Sequence, residues 1–302
     1  MMVSLQSRML AAILYADIFH YPLTIRELTQ WIPSDKSISP RVIHSHINTL
    51  VKKQRVGYTP PFLYVSGHKK TIQRRIERLA ASTSKWQKIR RIVKILRCIP
   101  TIGMVGVTGG LAVNNADYQD DIDLLIVAKG NTLWITRFLA TVLIELFSKR
   151  RHPMDTQVTN AICLNMFLTD RALQIPKKEQ GWYTAHEVLQ MVPLWQRNHM
   201  YTRYLRANIW AVKWFRARYE FQKQIQIPLY NTRNNYIKWY HFLEQPMKKL
   251  QIWYMRKRRT TEIISDSMIR FHPKDARIWI RKLFLTKLRR YKVPLDKKYN
   301  QI

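Results

Sequence analysis

Val107-Thr108-Gly109-Gly110 is followed, after a gap of ten residues, by Asp121-Ile122-Asp123-Leu124. An apolar run, Thr101 to Val107, leads into the glycine pair, and a second, Ile122 to Ala128, carries the two carboxylates at its start. Between them Asn114 to Asp120 is polar and reads as a loop, so the whole predicts strand, tight turn, loop and strand. Side chains alternate along a strand, which puts Asp121 and Asp123 on one face about 7 Å apart and Ile122 and Leu124 on the other. Two like charges that close repel, so the pair calls for a cation. The bare glycines let a phosphate chain approach the backbone. A β-hairpin with a solvated Asp-rich turn uses the same residues and is the plainer reading.

The combination resembles the nucleotidyltransferase superfamily of the DNA polymerase β type, over roughly residues 100–170. Its signature is an apolar residue, Gly, Gly or Ser, a gap of about ten residues, then Asp-x-Asp before an apolar residue. The resemblance implies transfer of a nucleoside monophosphate from a nucleoside triphosphate, with release of pyrophosphate. It makes Asp121 and Asp123 ligands of Mg²⁺ or Mn²⁺, and places Thr108, Gly109 and Gly110 against the triphosphate. The loop acids Asp117 and Asp120 read as solvated turn residues.

The family pattern takes a third carboxylate from a later strand. The corresponding run here is Ala161 to Leu168, with Asn165 in the matching setting and Cys163 two residues earlier on the same face. Asn165 can offer a carbonyl to a metal but cannot accept a proton. Asp155 and Asp170 flank the run without fitting the pattern. Two functions therefore stand: a Mg²⁺-dependent nucleotidyltransferase with an unidentified acceptor, or a non-catalytic DNA- or RNA-binding regulator with a degenerate core.

The 302 residues carry a formal net charge of +33 with 46% hydrophobic residues, enough for a packed core in two or three parts. Counting Lys and Arg against Asp and Glu, residues 101–130 hold −3 and residues 171–302 hold +21. Basic flanks around an acidic segment point to nucleic acid as a partner. A basic proteome would produce the same total.

Residues 1–70 read as three helices and a hairpin. Arg8 to Phe19 has helical apolar spacing, and Thr24-Ile25-Arg26-Glu27 is a capping box. Ser39-Pro40 begins a third helix expected to bury Val42, Ile43, Ile47 and Leu50. That order resembles a winged helix-turn-helix, which implies a nucleic-acid face with Arg41, His44, Lys52 and Lys53 on or after the third helix.

Residues 71–170 form the expected α/β core behind a basic leading helix, Thr71 to Arg97, with nine basic residues and one acid. Ser82-Thr83-Ser84 is its candidate break, and Ile76 and Leu79 belong to its expected inner stripe. A helix from Asn131 to Lys149 should cover the sheet. Residues 171–302 read as an all-α basic region, with helices near 184–195, 198–222, 234–259 and 274–291. There aromatics alternate with cations. Those rings include Trp182, Tyr201, Tyr204, Trp214, Trp253 and Tyr254; most should pack between helices, though each could stack a base. Arg256-Lys257-Arg258-Arg259 is the densest basic cluster, a solvated helix end or a phosphate contact. Cys98 and Cys163, in apolar contexts, have no metal or disulfide spacing, and no apolar run is long enough to span a bilayer, so a cytoplasmic setting is expected.

Overall fold

The structure is a computed structural model, and residues 3–152, 155–227, 229–230, 238–256, 263–270 and 276–294 are described. The N-terminal part runs α1 (Leu5–Ile18), β1 (Leu23–Thr24), α2 (Ile25–Trp31), α3 (Pro40–Lys52), β2 (Val56–Thr59) and β3 (Phe62–Val65). The Thr24 hydroxyl accepts from Glu27 N at 3.2 Å while the Glu27 carboxylate accepts from Thr24 N at 2.8 Å, so the capping box forms as the sequence predicts. Pro40 opens α3, but the Ser39 side chain makes no cap hydrogen bond. The strands form an antiparallel sheet in the order β1-β3-β2. Ile43, Ile47 and Leu50 are buried, whereas Val42 is 43% exposed on the outer side of α3.

The helix α4 (Thr71–Leu96) is continuous through Ser82-Thr83-Ser84, because Ser82 is buried and its hydroxyl accepts from Ala116 N. Ile76 and Leu79 are exposed, contrary to the expected stripe, and the inward face is partly basic instead. Lys85 is 1% exposed, and its ammonium donates to Tyr118 O, Asp120 O and Asn160 Oδ1 at 3.1, 2.5 and 3.0 Å. Trp86 Nε1 donates to Asn114 Oδ1 at 2.7 Å. This helix therefore holds the loop before the Asp pair by satisfying its carbonyls, an obligation of any buried polar group.

The core follows as β4 (Ile102–Val107), α5 (Gly109–Ala112), β5 (Ile122–Ala128), α6 (Leu133–Phe147) and β6 (Ile162–Thr169). The C-terminal part adds α7 (Trp182–Gln190), β7 (Val192–Arg197), α8 (Met200–Ala207), α9 (Val212–Lys223), β8 (Leu229–Tyr230), α10 (Lys238–Met255), β9 (Ile263–Ile264), β10 (Met268–Arg270) and α11 (Ala276–Arg290). One mixed sheet runs β8-β7-β4-β5-β6-β10-β9, with β5 and β6 parallel and β7 antiparallel to β4.

The expectation of an all-α region over 171–302 is corrected by β7, which forms the inner neighbour of β4, and by β10, which pairs with β6. The run Val192 to Trp195, expected to end a helix, is strand instead. Its Pro193 stands opposite Gly106, where the ladder shifts register, the kind of place at which a strand tolerates proline.

The two faces of the sheet have different covers. Leu124 and Ile126 join α4, α6 and α10 in one apolar cluster, and Glu244 of α10 caps α6 by accepting from Trp134 N and Ile135 N at 2.9 and 3.0 Å. Leu125 and Val127, on the opposite face, join a second cluster with α1, α7, α9 and α11. That cluster runs without interruption from Met9 and Leu63 to Trp182, Phe215 and Phe284, so the N-terminal helices pack on the C-terminal half. Asp123 shares the Leu125 and Val127 face by the two-residue period of a strand.

Candidate functional site

Asp123 opens into a cavity of about 400 Å³ between the sheet and the helices α1, α7 and α11. Gly109, Gly110, Asn165, Cys163 and Arg151 line its sheet side, and Tyr15, Phe19, Tyr183 and Trp279 are among the aromatics on the other. The three sequence elements singled out above, the glycine pair, Asp123 and Asn165, thus meet at one place.

Gly109 has φ of +66°, a left-handed backbone that favours glycine. A Cβ there would lie 2.7 Å from Asp123 Oδ2, so the bare backbone is required by the carboxylate beside it. Gly110 behaves differently. A Cβ on it would meet Asn115 O at 3.3 Å and the Ala116 backbone, and so point at the loop that precedes the Asp pair. Thr108 N donates to Asp123 O at 3.0 Å, which ties the turn to β5; its side chain makes no cap bond to α5.

Asp121, Asp123 and Cys163 each offer a ligand atom within 4.8 Å of one another, the one such group among the described residues. Cys163 stands opposite Asp123 in the parallel pairing of β5 and β6. Asn165, two residues on, lines the same cavity. Asp155 accepts from His152 N in an exposed turn, and Asp170 lies past the far end of β6, so neither joins the Asp121–Asp123–Cys163 group.

Burial, and then the charge of Asp121, push the Asp123 carboxyl up to about 7. Burial and the two aspartates push the Cys163 thiol far above its ordinary value, so it is a neutral thiol at physiological pH. Arg151 Nη1 donates to Asp121 Oδ2 at 2.6 Å and supplies the nearest positive charge. No sequence motif marks Arg151: it sits in the link between α6 and β6, and the backbone bonds from Arg151 N to Ile162 O and from Ile162 N to Lys149 O bring it to the aspartates.

Glu187 is equally unmarked in the sequence. It lines the same cavity from α7, and burial followed by the charge of Asp123 pushes its carboxyl up to about 7. Its neighbour His186 is stacked on Tyr15 at 4.1 Å and on Trp31 at 4.5 Å, and donates from Nδ1 to Trp182 O. Burial pushes His186 down to about 3, so it is neutral near pH 7. On an amphipathic helix, Glu187 and His186 read as ordinary surface and core residues, and no sequence spacing connects them to Asp123.

Of the residues expected to meet nucleic acid, Arg41, His44, Lys52 and Lys53 are exposed on α3 and just after it, and Arg256 is exposed at the end of α10. Lys257, Arg258 and Arg259 lie outside the described residues. Trp182, Tyr201, Tyr204 and Trp214 are buried in the core and cannot stack on bases, while Trp253 and Tyr254 are 72% and 52% exposed. Cys98 is exposed, contrary to its apolar sequence context. No described helix is long and apolar enough to cross a membrane. Comparisons with protein-family profiles, with curated proteins and with solved structures gave no match.

Proposed function

We propose that the chain is a nucleotidyltransferase that uses Mg²⁺ or Mn²⁺ and a nucleoside triphosphate at the Asp121–Asp123 site. The observation that carries the reading is the approach of Gly109 to Asp123 beside a second carboxylate, at the mouth of an aromatic-walled cavity. The donor set suits a hard cation: two carboxylates, with Asp123 raised by burial and by the charge of Asp121, leaving other coordination positions to water and phosphate oxygens. Cys163, a protonated thiol, is a poor ligand for such an ion. When bound, the cation would neutralise phosphate charge.

The protein's own groups divide the remaining work. Tyr15, Phe19, Tyr183 and Trp279 offer ring faces and edges for a nucleobase, and Arg151 stands where it can share Asp121 with a phosphate. Glu187, which lines the same cavity and whose Oε1 accepts from Gln190 Nε2 at 2.6 Å, is the carboxylate that would serve as general base for the acceptor hydroxyl, a role Asn165 cannot fill. Exposed cations on α3 support nucleic acid as the acceptor or as a docking partner, in the manner of a winged helix.

The test is incubation of the purified protein with each labelled triphosphate, Mg²⁺ or Mn²⁺, and total RNA. Incorporation that is lost in Asp123→Asn and Glu187→Gln supports transfer, with Glu187→Gln still binding nucleotide. Asn165 and the neutral Cys163 thiol favour the second reading, a nucleotide-sensing nucleic-acid binder. Triphosphate binding without any incorporation selects it.

A further inference from the structure

A second cavity of about 400 Å³ lies at the opposite end of the central strands. Asp123 stands at the start of β5, while Lys129 follows its last residue. At about 3.3 Å per residue the two sites are roughly 20 Å apart, so occupancy of one leaves the other free. Lys129, Arg197 and Arg203 line this cavity together with Asp170 and Asn198. They come from three elements: the end of β5, the end of β7 and the first turn of α8.

Three cations face one carboxylate here. Arg203 Nη1 lies 3.4 Å from Asp170 Oδ2, and its Nη2 donates to Asp170 O at 3.0 Å, which offsets one positive charge. Arg197 is 8% exposed; its Nη2 donates to Arg97 O at 2.8 Å, and its guanidinium lies 4.8 Å from the centre of the Trp195 ring. Among the described residues its buried Nε has no hydrogen-bond partner, and neither has the buried Asp170 Oδ1. Burial lowers both Lys129 and Arg197, and for Lys129 the Arg197 charge adds to the effect. A buried guanidinium with a spare donor, crowded by a second cation, is expensive unless an anion completes it. The connection beneath it is also strained: Asn198 and His199 both have left-handed backbones, with φ of 49° and 53°.

We propose that Lys129, Arg197 and Arg203 form an anion pocket for a phosphate group that carries a neighbouring hydroxyl. The phosphate oxygens would take the free donors, and the hydroxyl would donate to Asp170 Oδ1. A free ribonucleotide and an RNA backbone both present that chemistry. The inference does not depend on chemistry at Asp121 and Asp123.

The experiment measures binding of inorganic phosphate, a ribonucleoside monophosphate and a short oligoribonucleotide to the full chain by calorimetry, with Asp123→Asn as the background to silence the other site. Arg197→Gln and Lys129→Gln are compared in that background. Lys129 is only half-buried, so its variant keeps the test open if the arginine variant does not fold. The expected result is a loss of affinity of roughly tenfold or more for each variant, the effect of removing a charge-assisted hydrogen bond. Tight monophosphate binding identifies a free ligand as the source; binding of the oligoribonucleotide with weak monophosphate binding identifies a chain. Absence of binding by all three probes, or affinities unchanged in the folded variants, overturns the proposal.

Discussion

Replacing Asp123 by Asn should stabilise the protein at alkaline pH and leave it nearly unchanged in acid. The cause is the carboxyl held at about 7 by burial and by Asp121, against an ordinary value of 3.8. Folded Asp123 keeps its proton over a range in which the unfolded chain has lost it. The folded state therefore binds more protons between pH 3.8 and about 7, and stability falls as pH rises through that window. Displacement by roughly three pH units corresponds to a ceiling of about 4 kcal/mol, and relaxation around the cavity lowers the realised value. An amide of the same shape removes the ionisation. Chemical unfolding with EDTA present, from pH 4 to pH 8.5, gives the difference between the two proteins at each pH, so that groups titrating alike in both cancel. His186, depressed to about 3, has the opposite slope in both proteins, since its contribution is lost as pH falls from 6.5 towards 3. The expected difference curve is flat in acid and rises towards pH 8 in favour of the Asp123→Asn variant. A difference independent of pH, or one that favours the wild type increasingly at high pH, would refute the electrostatics assigned to the site.

Gly109→Ala should cost about 1–3 kcal/mol, since it imposes a left-handed alanine against the Asp123 carboxylate, while Gly110→Ala should cost less; thermal unfolding of the pair checks the order. Cys98 should be alkylated readily at pH 8 and Cys163 more slowly than in the unfolded chain, as peptide mass spectrometry would read, because Cys98 is exposed whereas Cys163 is half-buried and held as a neutral thiol. If the exposed cations meet duplex DNA through six phosphates, log affinity against log salt should have a slope of about −5, and salt-independent binding would exclude that mode.

Local chemistry alone specified a good part of this molecule. The two strands flanking the glycines and the Asp pair at the start of the second follow from apolar runs and the two-residue strand period. The Thr24–Glu27 box and Pro40 likewise begin α2 and α3 where their residues dictate. Those features depend on neighbours within a few residues, which a sequence displays directly. Tertiary pairing decided the rest. Val192 to Arg197 became a strand because β4 needed a partner, and Pro193 could be placed at a register shift in that ladder. Gly109 rather than Gly110 proved to be the residue against the carboxylate, a matter of backbone angle that two adjacent glycines do not reveal. Arg151, Glu187 and the three cations at the far end of the sheet come from separate elements. Their charges acquire meaning only when packing brings them together and burial removes the water that would otherwise screen them.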